Sequence, residues 1–345
     1  MLWARIPGLL ALSVDSRVLA LIDAHAAGRG KIENRVIASM VAMWSRFDAW
    51  YRPRLVEEVA DESFRLVAAG QVATAGLTDS YMGGVASTLA RKQISPIGVD
   101  PSMRGSLREG VSGREVQARV AQEFRWQIYR GALPDDAMGT ALARAQASVS
   151  QDLSLASRGQ ARSFMRRRGV THYRRVTRGE KTCGLCGAAS NQEYTREDLL
   201  PIHANCRCSV VPVGASFPGA PTTDEDYRKL AGVTRSSSAK DLKDVRYVID
   251  EHGELGPVLR NANQRVSGVS PATGRVQSKG GRTPEQKRIP VDSGIAGMSP
   301  ERAQTVIARH EKALAWSTRQ GLDEQVAYHA ERVRLLRAHL DASTK

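Results

Sequence analysis

All four cysteines of this 345-residue chain fall between positions 183 and 208, as Cys183-Gly-Leu-Cys186, sixteen residues, then His203-Ala-Asn-Cys206-Arg-Cys208. A Cys-x-x-Cys turn aims two sulfurs at one centre, and a second pair of nitrogen or sulfur ligands closes a tetrahedron around Zn²⁺. Five residues, Cys183, Cys186, His203, Cys206 and Cys208, compete for four places. Cys206 and Cys208 are two apart and would face opposite ways in a regular strand, so both can bind only if the chain turns there. The expected set is Cys183, Cys186 and His203 with one of Cys206 or Cys208. Such a zinc site would be structural, because Cys and His fill the sphere and leave no open position for water. It would fold a module too small to have a core of its own. Two disulfides, or reduced thiols packed as small hydrophobes, are the competing readings. The N-terminal apolar stretch from Ile6 to Val14 is too short to span a bilayer and is followed by Asp15 and Arg17. It also makes a poor signal peptide, so synthesis in the cytoplasm is expected, where clustered cysteines hold metal more often than they form bridges.

Around this module the periodicity is helical, and the fold class expected is mainly α (α+β). From Ile32 the apolar residues Val36, Met40, Met43, Phe47, Trp50 and Val59 recur mostly three or four apart, with Pro53 predicting a kink or break. Gln93 to Gly110, with Pro96, Gly98, Pro101 and Gly105, reads as a connecting loop. Ser112 to Glu115 has the form of a capping box opening a helix lined by Val116, Val120, Phe124 and Ile128, which should stop at Gly131. A further helix is expected from Asp135 through Met138, Leu142, Ala145, Val149 and Leu153. Tyr173 to Val176 and Ser209 to Val213 are β-prone and flank the cysteines. Asp241 to His252 reads as helical. Residues 263–297 hold six Gly, three Pro, four Ser and no aromatic residue, the composition of a flexible basic linker. Ser299-Pro300 starts another helix through Ala303, Ile307, His310 and Leu314. After Gln320-Gly321, the residues Leu322, Val326, His329, Val333, Leu336 and Leu340 keep heptad spacing, as in a helical hairpin or a docking helix. The expected organisation is therefore a helical domain (1–165), a basic segment with the Cys/His module (166–215), a helical extension (216–262), a linker (263–298) and a C-terminal helical hairpin (299–345).

Fifty Lys+Arg against 36 Asp+Glu leave a net charge of +14, which attracts polyanions. Eight of these cations, Arg162, Arg166, Arg167, Arg168, Arg174, Arg175, Arg178 and Lys181, lead into the cysteines against the single Glu180. If they face one way they would grip DNA phosphates without reading sequence. The other reading is a solvated helix end whose arginines pair with neighbouring acidic faces. His172, His252, His310, His329 and His339 are isolated, and the stripe positions of His310 and His329 suit satisfied buried or boundary residues.

The run Tyr173-Arg174-Arg175-Val176, Cys183-Gly184-Leu185-Cys186, Tyr194, Asp198 to His203, Asn205-Cys206-Arg207-Cys208 and Pro212 resembles the minor head proteins of tailed phages. These form the phage Mu F-like, head-morphogenesis family, and the similarity is greatest to its actinobacteriophage branch, often labelled capsid maturation protease. It covers about an eighth of the chain, residues 172–213. The resemblance implies a minor capsid protein of the virion, in the head interior near the portal. Its implied partners are the portal protein, the major capsid protein and non-specific DNA, with no membrane. It brings no catalytic residues. A maturation protease would need an activated nucleophile, and neither a Gly-x-Ser-x-Gly elbow nor a His-Glu-x-x-His motif is present. A cellular zinc-module nucleic-acid binder is the third reading, although the chain has no helix-turn-helix or tandem fingers.

Overall fold

Helix breakers partition the chain. The computed structural model describes residues 14–176, 193–199, 208–212, 247–251, 257–261 and 289–343. Within them lie six helices: α1 (Val14–Trp44), α2 (Pro53–Ala90), α3 (Gly113–Tyr129), α4 (Pro134–Arg167), α5 (Pro300–Arg319) and α6 (Asp323–Ser343). The strands are β1 (His172–Val176), β2 (Glu193–Thr195), β3 (Ser209–Pro212), β4 (Tyr247–Glu251) and β5 (Pro257–Asn261). The architecture is mainly helical with a small three-stranded sheet. Pro53 and Pro134 each open a helix, where a missing N–H costs nothing. The break expected near Pro53 is therefore real, and the chain between Trp44 and Pro53 turns.

Two compact units result. The first takes in the described residues of 1–39, 64–113 and 147–277; the second takes in those of 40–63, 114–146 and 278–345. In the first, Val18, Leu21 and Ile22 of α1 share one core with Tyr81, Met82 and Val85 of α2 and with Ala161, Phe164 and Met165 of α4. The same core takes in Tyr173, Val176, Val210 and Val211 of the sheet. A Cβ on Gly70 would stand 2.8 Å from Val36 and 2.9 Å from Leu153, so glycine sets how closely the helices approach. The sheet order is β2-β1-β3, antiparallel throughout, with Tyr173 opposite both Tyr194 and Pro212. The two β-prone stretches flanking the cysteines thus pair directly. The helical reading of Asp241 to His252 is corrected: Tyr247–Glu251 is a strand paired antiparallel with Pro257–Asn261. The aromatic and β-branched run Tyr247-Val248-Ile249 favours extended backbone, and its few apolar positions match a helix only by coincidence of spacing.

In the second unit Trp50 stacks on Phe124 at 4.2 Å and on Trp44 at 5.6 Å, and Phe124 meets Trp316 edge-on at 5.8 Å. The expected stripe Val116, Val120, Phe124, Ile128 is buried throughout. Gly131 ends α3 with φ +87°, where a Cβ would lie 2.7 Å from the Tyr328 ring. The expected linker lies mostly outside the described residues; its C-terminal end, residues 289–298, is described. There Ile295 is buried with Ile307, Val333 and Leu336. Arg332 donates to the carbonyls of Val291 and Ser293, so local apolar packing and carbonyl capping hold a stretch whose average composition is that of a linker.

In the α5–α6 hairpin, α6 turns Gln325 and Tyr328 inward beside His329, Val333 and Leu336. His310 and His329 meet Nδ1 to Nδ1 at 3.0 Å, and the Arg332 Nε–H donates to His310 Nε2 at 3.1 Å. That donor places the His310 proton on Nδ1, which donates to His329. Burial, then the neighbouring His329, Arg332 and Arg309 charges, push His310 down to about 4; burial, then Arg332, push His329 down to about 4. The folded pair is neutral, whereas the unfolded imidazoles take up protons near 6.5. Its stabilisation is therefore complete above pH 6.5 and is lost as pH falls towards about 4. Thermal melts over that window should show a falling midpoint that the His310→Gln/His329→Gln variant flattens; an equal slope in both proteins would refute this.

Candidate functional site

Of the five metal-ligand candidates, Cys183, Cys186, His203 and Cys206 lie outside the described residues. Cys208 immediately precedes β3 and packs into the core of the first unit. Its Sγ accepts from Arg175 NH1 at 3.3 Å. The Arg175 guanidinium, 1% exposed, lies over the Tyr194 ring at 5.2 Å and the Tyr173 ring at 5.7 Å, and donates to Tyr173 Oη at 3.1 Å. Burial raises the Tyr173 phenol well above its ordinary range, against the lowering effect of Arg175.

The basic cluster divides by geometry. Arg166, Arg167 and Arg168 are exposed at the C-terminal end of α4. Arg167 NH1 donates to Ile97 O at 3.2 Å, and Arg168 donates to Ser95 O while its guanidinium sits 5.8 Å over Phe164. Arg162 reaches Leu199 O at 2.8 Å. Strand alternation half-exposes Arg174 and sends Arg175 inward, away from any surface where phosphate could reach it. Arg178 and Lys181 lie outside the described residues.

The loop that Arg167 and Arg168 cap is fastened on every side. Asp79 accepts from Ile97 N at 3.2 Å and Gly98 N at 2.7 Å. Gln160 accepts from Asp100 N at 2.9 Å and donates to Gly98 O at 2.8 Å. Ser163 donates to the Asp100 carboxylate at 2.7 Å; this bond and those from Ser102 hold that carboxyl below its ordinary range. The connecting loop read from the sequence is thus an ordered, exposed segment.

A buried polar network absent from the sequence reading ties helices to sheet. His25 of α1 shares a hydrogen bond with Ser209 Oγ of β3 at 3.2 Å and another with Thr78 Oγ1 of α2 at 3.1 Å. Thr78 Oγ1 bonds Ser157 Oγ of α4 at 3.0 Å. The imidazole stacks on Tyr81 at 4.2 Å, and Tyr81 donates to Val210 O at 2.9 Å. Burial, then Arg29, hold His25 well below 6.5, so it is neutral at pH 7. Histidine beside serine is the pairing of a hydrolase nucleophile, but His25 is 1% and Ser209 5% exposed, so no substrate reaches them as folded. Separated by 184 positions, the pair left no spacing signal to find.

The chain matches the model of the VG15 protein family over residues 19–230. The chain belongs to the VG15 family. That family is viral. No curated protein and no solved structure matches. The VG15 match takes in most of α1, all of α2 to α4, the ordered loop and β1 to β3, and leaves α5 and α6 outside. Among the described residues no helix is long and apolar enough to cross a membrane. The VG15 region should depend on the His25 network. His25→Ala strands Ser209 and Thr78 and opens a cavity, for an expected loss of about 2–4 kcal/mol. Chemical denaturation would measure it, and a loss within about 0.5 kcal/mol would mean the network is dispensable.

Proposed function

We propose that this viral protein is a minor capsid protein of a tailed phage, acting in head morphogenesis by binding rather than by catalysis. Membership of the VG15 family carries the viral part of that reading, because the match extends from the helices into the cysteine-rich module. The head-specific part rests on the Cys-x-x-Cys…His-x-x-Cys-x-Cys resemblance. Portal protein and major capsid protein are the partners implied, with non-specific DNA at the exposed α4 arginines. The virion interior near the portal is the location implied. Quantitative peptide mass spectrometry of purified mature particles tests this. Full-length chains at a few to some tens per particle are expected. Absence or clipping of the chain, together with a newly processed N-terminus on the major capsid protein, would instead favour a maturation protease.

Within that protein, zinc would be structural and would supply folding energy to the module. The donor set fits it once Cys208 is set apart. The Cys208 side chain packs into the core shared with α1, α2 and α4, and its sulfur is already engaged by Arg175, which favours Cys206 for the fourth place. The proposed ligands are therefore Cys183, Cys186, His203 and Cys206, three sulfurs and one nitrogen, a set that closes a structural tetrahedron. Metal analysis of the reduced, full-length protein should find about one zinc per chain, retained in Cys208→Ala and lost in Cys183→Ser/Cys186→Ser. Loss of zinc in Cys208→Ala would reverse the assignment, and absence of zinc from the folded wild type would end it.

A further inference from the structure

We propose that Arg91, Lys92, Arg166, Arg167 and Arg168 form one preorganised phosphate-binding ledge for duplex DNA, where α2 and α4 end. It rests on the DNA contact proposed above and extends it to a second stretch of chain that the basic cluster does not include. All five side chains are exposed. Arg168 grips the Ser95 carbonyl and Arg167 the Ile97 carbonyl, which ties the end of α4 to the loop that follows Arg91 and Lys92. Ser95 is three residues beyond Lys92, so Lys92 lies within about 10 Å of chain from the carbonyl that Arg168 holds. Asp79 and Gln160 hold that loop still, so the cations are partly ordered before any ligand arrives.

Arg91 supplies the independent observation. Its φ of +50° is the only positive value at a non-glycine among the described residues. It directly follows α2, at the position where glycine is the favoured terminator. Cations at two helix C-termini do answer the helix dipoles. That role is met by a cation anywhere in the last turn, so it does not account for an arginine at a left-handed position. Asp79 accepts from the loop amides, and Asp100 accepts from Ser102 and Ser163 while also feeling the Arg167 charge, so Arg167 among the ledge cations has a carboxylate close by. Large exposed apolar side chains among the described residues are Leu55 and Ile289, neither on the ledge, so nothing here inserts into a lipid surface.

The test compares full-length wild type with Arg91→Gly/Lys92→Ser for binding a random-sequence duplex of about 20 base pairs over a salt series, together with thermal melting. Glycine relieves the left-handed strain, so the variant should melt at or above the wild-type midpoint. The slope of log K against log salt should become shallower by about two, with affinity roughly tenfold or more lower near 0.1 M salt. The loss should be equal on an unrelated duplex. Unchanged affinity and slope in the variant would overturn the ledge while leaving DNA binding in place. A wild type with no salt-dependent DNA affinity would overturn the DNA contact itself. Tighter wild-type binding to vesicles of phosphatidylcholine and phosphatidylserine than to DNA would transfer the ledge to lipid and overturn the proposal.

Discussion

The sheet depends on the helices beneath it. Three short strands cannot bury an apolar face alone, and here β1 and β3 complete a core begun by α1, α2 and α4. What fixes the register of that union is polar. His25 offers one ring nitrogen to the Ser209 hydroxyl and the other to Thr78, while Tyr81 ties the carbonyl of Val210. Hydrophobic burial tolerates sliding; these bonds do not, because a displaced strand would leave several buried polar groups unsatisfied. Since β3 follows directly on Cys206 and Cys208, the exit of the cysteine-rich stretch is anchored to the helical body.

Charge is deployed in two ways within one short stretch of sequence. Arg175 is used as a structural cation, lying against the stacked Tyr173 and Tyr194 rings and turned towards a cysteine sulfur. Arg166 to Arg168 remain at the surface, braced by loop carbonyls instead of carboxylates. The sequence alternatives for this stretch were a phosphate grip or arginines paired with acidic faces. Arg167 and Arg168 donate to backbone oxygens, which order a guanidinium without neutralising it, and Arg167 also acts on the Asp100 carboxylate.

Legibility followed the range of the interaction. Val116, Val120, Phe124 and Ile128 declared their helix because periodicity is local, and Gly131 ended it because few residues but glycine accept φ +87°. Tyr173 to Val176 and Ser209 onward declared strands by β-branched and aromatic content. Asp241 to His252 misled because an apolar run a few residues long fits either period, and pairing with Pro257–Asn261 is a non-local event. Residues 289–298 are a related case. Glycine and proline set their average composition, yet Ile295 and the carbonyls gripped by Arg332 decide their fate.

From the residue order alone came the helical class, the main breaks, the β-prone flanks of the cysteines, the C-terminal hairpin and the excess of positive charge. These follow from spacing, propensity and composition, which act over a few residues or over the chain as a whole. Packing chose the rest. It set Cys208 beside Arg175, joined His25 to Ser209, faced His310 with His329, and tied the α4 arginines to the loop that follows Arg91 and Lys92. Each of these pairs residues from separate segments, and their proximity is fixed by which faces the elements bury against one another, a property that no stretch of sequence carries by itself.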